Sequence, residues 1–396
     1  MNVPFFDLKR QYAAIRAQME PAVLAVLGSC GYIGGKAVEA FENQAAAYLG
    51  VRHAVSCGNG TEALVLALRA CGVRSGDEVV TTPFSFFATA EAVASIGAVP
   101  VFTDICPADF TLDPAKIEEK ITDRTRAILP VHIFGAPCDM DAIGEIARRH
   151  GLWIIEDAAQ AIGCEYRGKK IGATADVSCF SFYPTKNLGG LGDGGMVTTS
   201  DDDLALILRS LKEHGAGKRG AEARALLDGG AAEAVELPDT GAGYDPYKYR
   251  NSLIGYNSRL DAVQAAALSV KLEHLDGWNA ARAEIAAYYD ANLCDAVVKP
   301  AARPEGCHCW HQYVIRTAHK EALCAHLSAH GVGVGTFYPI PLHLQAAFSH
   351  LGYAPGDLPE AEKAAAETVC LPIFPELRPE ELVYVASQVN GFFAAQ

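Results

Sequence analysis

From residue 51 to 200 the chain alternates short apolar runs with stretches of helical spacing, and this alternation constrains the fold more than any other feature. The runs are Asp77-Glu78-Val79-Val80-Thr81-Thr82, Ala98-Val99-Pro100-Val101-Phe102, Ala127-Ile128-Leu129-Pro130-Val131-His132, Leu152-Trp153-Ile154-Ile155 and Val177-Ser178-Cys179-Phe180-Ser181-Phe182. Helical spacing separates them, as in Thr61 to Ala70 and Met140 to His150. Strands alternating with helices imply βαβ units and a parallel sheet with helices on both faces. Strands buried on both faces read as continuous apolar runs, as these do. Ligands of such sheets bind beyond the carboxyl ends of the strands. The residues just after each run are therefore where chemistry is expected.

Past residue 200 the pattern changes. The segment from Asp201 to about Gly255, rich in Gly, Ala and Asp up to Tyr244, lacks strand signals and reads as a long loop or surface insertion over 213–250. Long loops in compact domains are often functional. One long Ala-rich helix is expected from Leu260 to about Leu293, crossing between domains. The last hundred residues read as a smaller α/β unit with the strand Tyr313-Val314-Ile315. A length of 396 residues accommodates two domains, expected at 1–265 and 266–396. With 33 Lys+Arg against 47 Asp+Glu the formal charge is 33 − 47 = −14, which argues against a protein that coats nucleic acid. No apolar run is long enough to span a membrane. The N-terminus carries no secretory pattern, and 12 scattered cysteines suit a reducing compartment, so the expected location is the cytoplasm.

Three segments follow strand ends and carry polar groups suited to a ligand. Glu156-Asp157-Ala158-Ala159-Gln160 places a carboxylate at a strand's carboxyl end, where capping a helix is the simpler role. Ser181-Phe182-Tyr183-Pro184-Thr185-Lys186-Asn187-Leu188 runs into five glycines. A lysine there is a point charge for phosphate, an imine-forming nucleophile or a solvated loop residue. Gly58-Asn59-Gly60-Thr61-Glu62-Ala63 joins a strand to a helix start, where exposed N–H groups favour an anion or simply a cap. Cys307-His308-Cys309-Trp310-His311 lacks a second ligand pair at zinc spacing, so no metal is assigned.

Taken together, Gly60-Thr61-Glu62-Ala63, Asp157-Ala158-Ala159-Gln160, Ser181 to Leu188 and Gly255-Tyr256-Asn257-Ser258-Arg259-Leu260 resemble the sugar aminotransferases of the DegT/DnrJ/EryC1/StrS type. Pro4-Phe5-Phe6-Asp7-Leu8, Tyr32-Ile33-Gly34-Gly35 and Tyr338-Pro339-Ile340-Pro341-Leu342-His343 extend the resemblance over nearly the whole chain. It implies an aspartate-aminotransferase-like α/β fold: a three-layer large domain with a mostly parallel sheet, and a smaller C-terminal α/β domain. It implies pyridoxal 5'-phosphate as cofactor, with Lys186 bonded to it and moving the substrate proton. Asp157 would keep the pyridine nitrogen protonated and Gln160 would face the phenolic oxygen. Gly60, Thr61 and Ser181 would bind the phosphate, and Phe86 would stack on the ring. Asn257 would reach the phosphate from a neighbouring subunit, making the active unit a homodimer. Arg259, Tyr338 and His343 are the candidate substrate contacts, each with a structural role as its alternative.

The implied reaction is transamination of a nucleotide-linked keto sugar with glutamate as amino donor, for polysaccharide, glycan or antibiotic sugar biosynthesis. Lys186 favours it over the dehydratases of the family, which carry histidine at that position. Asn257-Ser258-Arg259-Leu260-Asp261 resembles members acting on 3-keto sugars more than those acting on 4-keto sugars. The alternatives are a 4-keto sugar, a free keto-cyclitol, a lyase or dehydratase relative, and a regulator that kept the pocket without turnover.

Overall fold

The computed structural model describes residues 1–230 and 249–395. The part of the 213–250 segment at 231–248 therefore lies outside the described residues. The chain opens with α1 (Leu8–Ser29) and α2 (Gly35–Leu49) and then builds its main sheet from β1 (His53–Cys57), β2 (Glu78–Thr81), β3 (Val99–Phe102), β4 (Thr125–Leu129) and β5 (Trp153–Asp157). A short hairpin, β6 (Glu165–Tyr166) and β7 (Lys169–Lys170), precedes β8 (Val177–Ser181) and β9 (Gly195–Thr199). The seven-stranded order is β1-β9-β8-β5-β4-β2-β3. β9 alone runs antiparallel to its neighbours, so β1, β2, β4, β5 and β8 all end on the same edge. Each expected apolar run contains or overlaps a strand, and Val79, Val80, Ile128 and Leu129 are fully buried because helices cover both faces.

The covering helices are α3 (Gly60–Ala70), α4 (Ala88–Ser95), α5 (Met140–His150) and α6 (Asp202–Leu211). The expected loop at 213–250 is partly helical instead: α7 (Gly217–Leu227) packs on α6 through buried Ala223. The single long helix expected from Leu260 is also two helices, α8 (Ala262–Leu272) and α9 (Leu275–Asn292). At the break His274 stacks on Trp278, 5.6 Å between ring centroids, and its Nε2 lies 2.7 Å from Gln18 Oε1 of α1.

Beyond α9, β10 (Gly306–Cys307) joins the β6–β7 hairpin, and β11 (Tyr313–Arg316) pairs antiparallel with β12 (Thr368–Leu371). The helices α10 (Lys320–Ala329), α11 (Pro359–Glu367) and α12 (Pro379–Ala394) complete the C-terminal layer. Its apolar cluster joins Tyr289, Tyr313, Leu371 and Val385 to Val3 from the other end of the chain. Val3 forms a bridge with Val332, and Arg10 Nη1 meets buried Glu381 Oε2 at 2.6 Å.

Candidate active site

β5 carries Asp157 to the sheet edge and buries it. Its Oδ2 accepts a hydrogen bond from Thr89 Oγ1 at 2.7 Å, and its Oδ1 accepts one from the Ala159 N–H at 3.2 Å. A turn follows rather than a helix, so Asp157 caps nothing. Burial pushes its carboxyl pKa up, while Thr89, the Ala159 amide and the positive Lys186 pull it back. Side chains alternate along a strand. Glu156 accordingly turns to the other face, where Ser178, Thr174 and His132 surround it.

β8 ends at Ser181, and a turn closed by the Lys186 N–H on the Tyr183 carbonyl, 2.8 Å, presents Lys186 beside Asp157. Lys186 is half-buried, and among the described residues its amine has no hydrogen-bond or ion-pair partner. Loss of water lowers its pKa to about 8, against the opposing pull of Asp157. An amine so placed reaches its nucleophilic neutral form near neutral pH.

The third segment is the start of α3. Asn59 caps the helix, its Oδ1 accepting the Glu62 N–H at 2.9 Å. The first amides, those of Gly60 and Thr61, have no intrahelical acceptor. A Cβ on Gly60 would lie 2.7 Å from Ser181 Cβ, so the turn and the end of β8 press into one ledge of donors that excludes a side chain. Such a ledge at a helix N-terminus suits a phosphate.

Gln160, buried three residues after Asp157, accepts the Phe134 N–H at 2.7 Å on Oε1 and donates from Nε2 to Tyr338 Oη at 3.0 Å. The Tyr338 ring lies 6.3 Å from both Phe84 and Phe86. Phe86 is 58% exposed, which leaves its face open to a flat partner. These residues fit pyridoxal phosphate: a desolvated amine without a partner, a buried acid nearby, a donor ledge with no room for a side chain, and an open aromatic face.

Three further expected site residues make contacts of their own. Asn257 is exposed on a loop stitched to its own α3 turn, because Ser258 Oγ accepts the Gly58 N–H at 3.1 Å and donates to Glu62. Arg259, on the same loop, has no ion pair among the described residues. His343, read as a substrate contact, is 1% exposed, and its Nε2 lies 3.1 Å from Glu362 Oε1 beside the Tyr353 ring. The structure thus packs His343 into the interior. Sequence reasoning passed over Thr89, whose only signal was its position three residues after Phe86, and Asn187, next to Lys186.

The chain matches the DegT/DnrJ/EryC1/StrS aminotransferase family over residues 13–390. It is 44% identical to a "pleiotropic regulatory protein" of Geobacillus stearothermophilus, over 99% of each chain. It is 42% identical to the dTDP-3-amino-3,4,6-trideoxy-alpha-D-glucose transaminase of Streptomyces venezuelae, over 96% of this chain and 94% of that one. Among solved structures it is similar to S. venezuelae DesV in complex with a ketimine intermediate: TM-score 0.89, 41% identity, 99% of this chain and 98% of that chain. With the lysine, acid and donor ledge at the ends of its parallel strands, the chain belongs to the DegT/DnrJ/EryC1/StrS family of pyridoxal phosphate-dependent sugar aminotransferases.

Proposed function

We propose that this enzyme moves an amino group from glutamate to carbon 3 of a nucleotide-linked keto hexose. The observation that carries the chemistry is the partnerless, desolvated Lys186 beside buried Asp157. When bound, pyridoxal phosphate supplies the electron sink that lets a substrate carbon lose its proton. Lys186 would take that proton and give it back at a second carbon, a role its lowered pKa permits at neutral pH. Asp157, held by Thr89, keeps a negative charge against the ring nitrogen. The ledge of Gly60, Thr61 and Ser181 would anchor the phosphate, Phe86 would cover the ring, and Gln160 would offer its remaining N–H to the phenolic oxygen. Asn257, exposed on its loop, and Arg259 beside it would reach a second copy of the chain and bind that copy's cofactor and nucleotide phosphates.

Carbon 3 is supported by the Asn257-Ser258-Arg259-Leu260-Asp261 pattern and by the name of the S. venezuelae transaminase, whose product carries its amine there. The regulatory name of the Geobacillus relative favours a second reading, a binding protein without turnover. Intact Lys186 and Asp157 oppose it. Incubating the loaded enzyme with L-glutamate and either a 3-keto or a 4-keto nucleotide hexose, followed by mass spectrometry, tests both points. An amino sugar formed from the 3-keto substrate is expected. Amination of the 4-keto sugar alone overturns the carbon assignment, and no amination of either overturns the enzyme reading.

A further inference from the structure

His311 is a buried histidine that none of the roles above uses. It follows Trp310 and enters β11, and the Gln312 N–H that comes next bonds the Phe134 carbonyl at 3.2 Å. Phe134 in turn donates to Gln160, so His311 stands over the same strand ends as the cofactor site. Its Nδ1 lies 3.1 Å from Asn187 Oδ1, and Asn187 is the residue after Lys186. The direction of that bond follows from the rest of the amide. Asn187 Nδ2 donates to Asn279 Oδ1 and to the Cys309 carbonyl, both at 2.8 Å. The amide oxygen is therefore the end facing the ring, and it accepts. Nδ1 must carry the proton, and Nε2 carries the lone pair.

Asn279 is itself fixed, donating to the Ile162 carbonyl at 3.2 Å from within α9. The chain His311, Asn187, Asn279 thus ties the lysine turn to the loop after Asp157 and to α9. The ring stays uncharged: burial first, then Lys186, Arg282 and His308, all hold its pKa well below the usual imidazole range. A charged ring would still donate from Nδ1 but would set a second cation beside the Lys186 amine.

We propose that His311 is a positioning residue for Lys186, acting through its Nδ1–H bond to Asn187. The inference rests on the reading of Lys186 as the cofactor-bonding lysine. A displacement of a reacting group by about 1 Å can cost orders of magnitude in rate, so the clamp is expected to matter to bond formation more than to binding.

The test uses the full-length protein stripped of cofactor and mixed with pyridoxal phosphate in a stopped-flow absorbance experiment. Initial binding and the later growth of the visible imine band are fitted separately. Two variants divide the ring. His311→Asn puts an amide N–H where Nδ1–H stands, and His311→Gln puts its amide where Nε2 stands. His311→Asn is expected to capture the cofactor within a fewfold of the wild-type rate. His311→Gln and Asn187→Ala are each expected to slow the bond-forming step about tenfold while the initial binding constant holds. The reverse order, with the Gln variant fast and the Asn variant slow, overturns the proposal. So do equal rates in all variants, or a loss confined to initial binding. A wild-type protein that forms no imine band, or forms one that survives Lys186→Ala, would instead sink the reading of Lys186 itself.

Discussion

At the scale of single residues, the decisive balance is at Lys186. Removing water from an ammonium favours the neutral amine, while the nearby Asp157 favours the cation, and desolvation wins. The pKa falls from 10.5 to about 8. At pH 7 about one chain in ten then holds a neutral amine, against about one in three thousand for an ordinary lysine. The sign is that of a depressed base: the nucleophile is scarce below the folded pKa and complete above it. Covalent capture of pyridoxal phosphate by the stripped protein should therefore rise about tenfold per pH unit and level off near pH 8. Capture rates measured from pH 6 to 10 check this, and a rate still rising about tenfold per pH unit between pH 8 and 10 would show that burial does not tune the lysine. The lysine and acid were legible in the sequence because both sit directly after apolar runs. Thr89 and His311 were not, because their roles depend on partners 68 and 124 residues away. The burial of His343 was hidden for the same reason: its neighbour Glu362 comes from a separate helix, and nothing local marks the ring as buried.

At the scale of elements, the strands were readable and the breaks between helices were not. Burial on both faces writes each parallel strand into the sequence as an apolar run. The break between α8 and α9 contains neither Gly nor Pro and is set by the tertiary contact of His274 with Gln18, 256 residues away. α7 escaped notice because its short buried seam, Gly220 and Ala223, offers small residues in place of a wide apolar stripe. α3 was legible to within a residue, read from Thr61 and starting at Gly60, and the structure shows Asn59 as its cap. That cap also holds the donor ledge in place. Replacing Asn59 with Ala is expected to cost about 1 kcal/mol of stability. It should also weaken retention of the cofactor phosphate, because the free amides of Gly60 and Thr61 lose their fixed direction. Urea unfolding gives the first quantity and equilibrium dialysis of pyridoxal phosphate gives the second. An unchanged unfolding midpoint would mean that packing of Ala63 and Leu64 alone sets the helix start.

At the scale of the whole molecule, the chain folds its two ends together yet leaves one loop turned outward. Val3 and Arg10 dock on the C-terminal layer through the Val332 bridge and the Glu381 ion pair, contacts that span more than 300 residues and leave no local trace in sequence. The loop bearing Asn257 is fixed to its own α3 turn by Ser258, through the bonds to Gly58 and Glu62, while Asn257 itself stays exposed. If a second copy receives it, each active site is built from two chains, and complementation follows as arithmetic. Lys186→Ala chains lack the nucleophile, and Asn257→Ala chains lack the residue they lend. Mixed in equal amounts and reassorted, half the dimers are hybrids, and each hybrid holds one site with both residues intact. About a quarter of the wild-type sites should return, although neither variant works alone. Were Asn257 to serve its own chain, the hybrid would contain no complete site and the mixture would stay inactive. The assay reads cofactor retention as well as turnover, so a site that is rebuilt but slow is still counted as rebuilt.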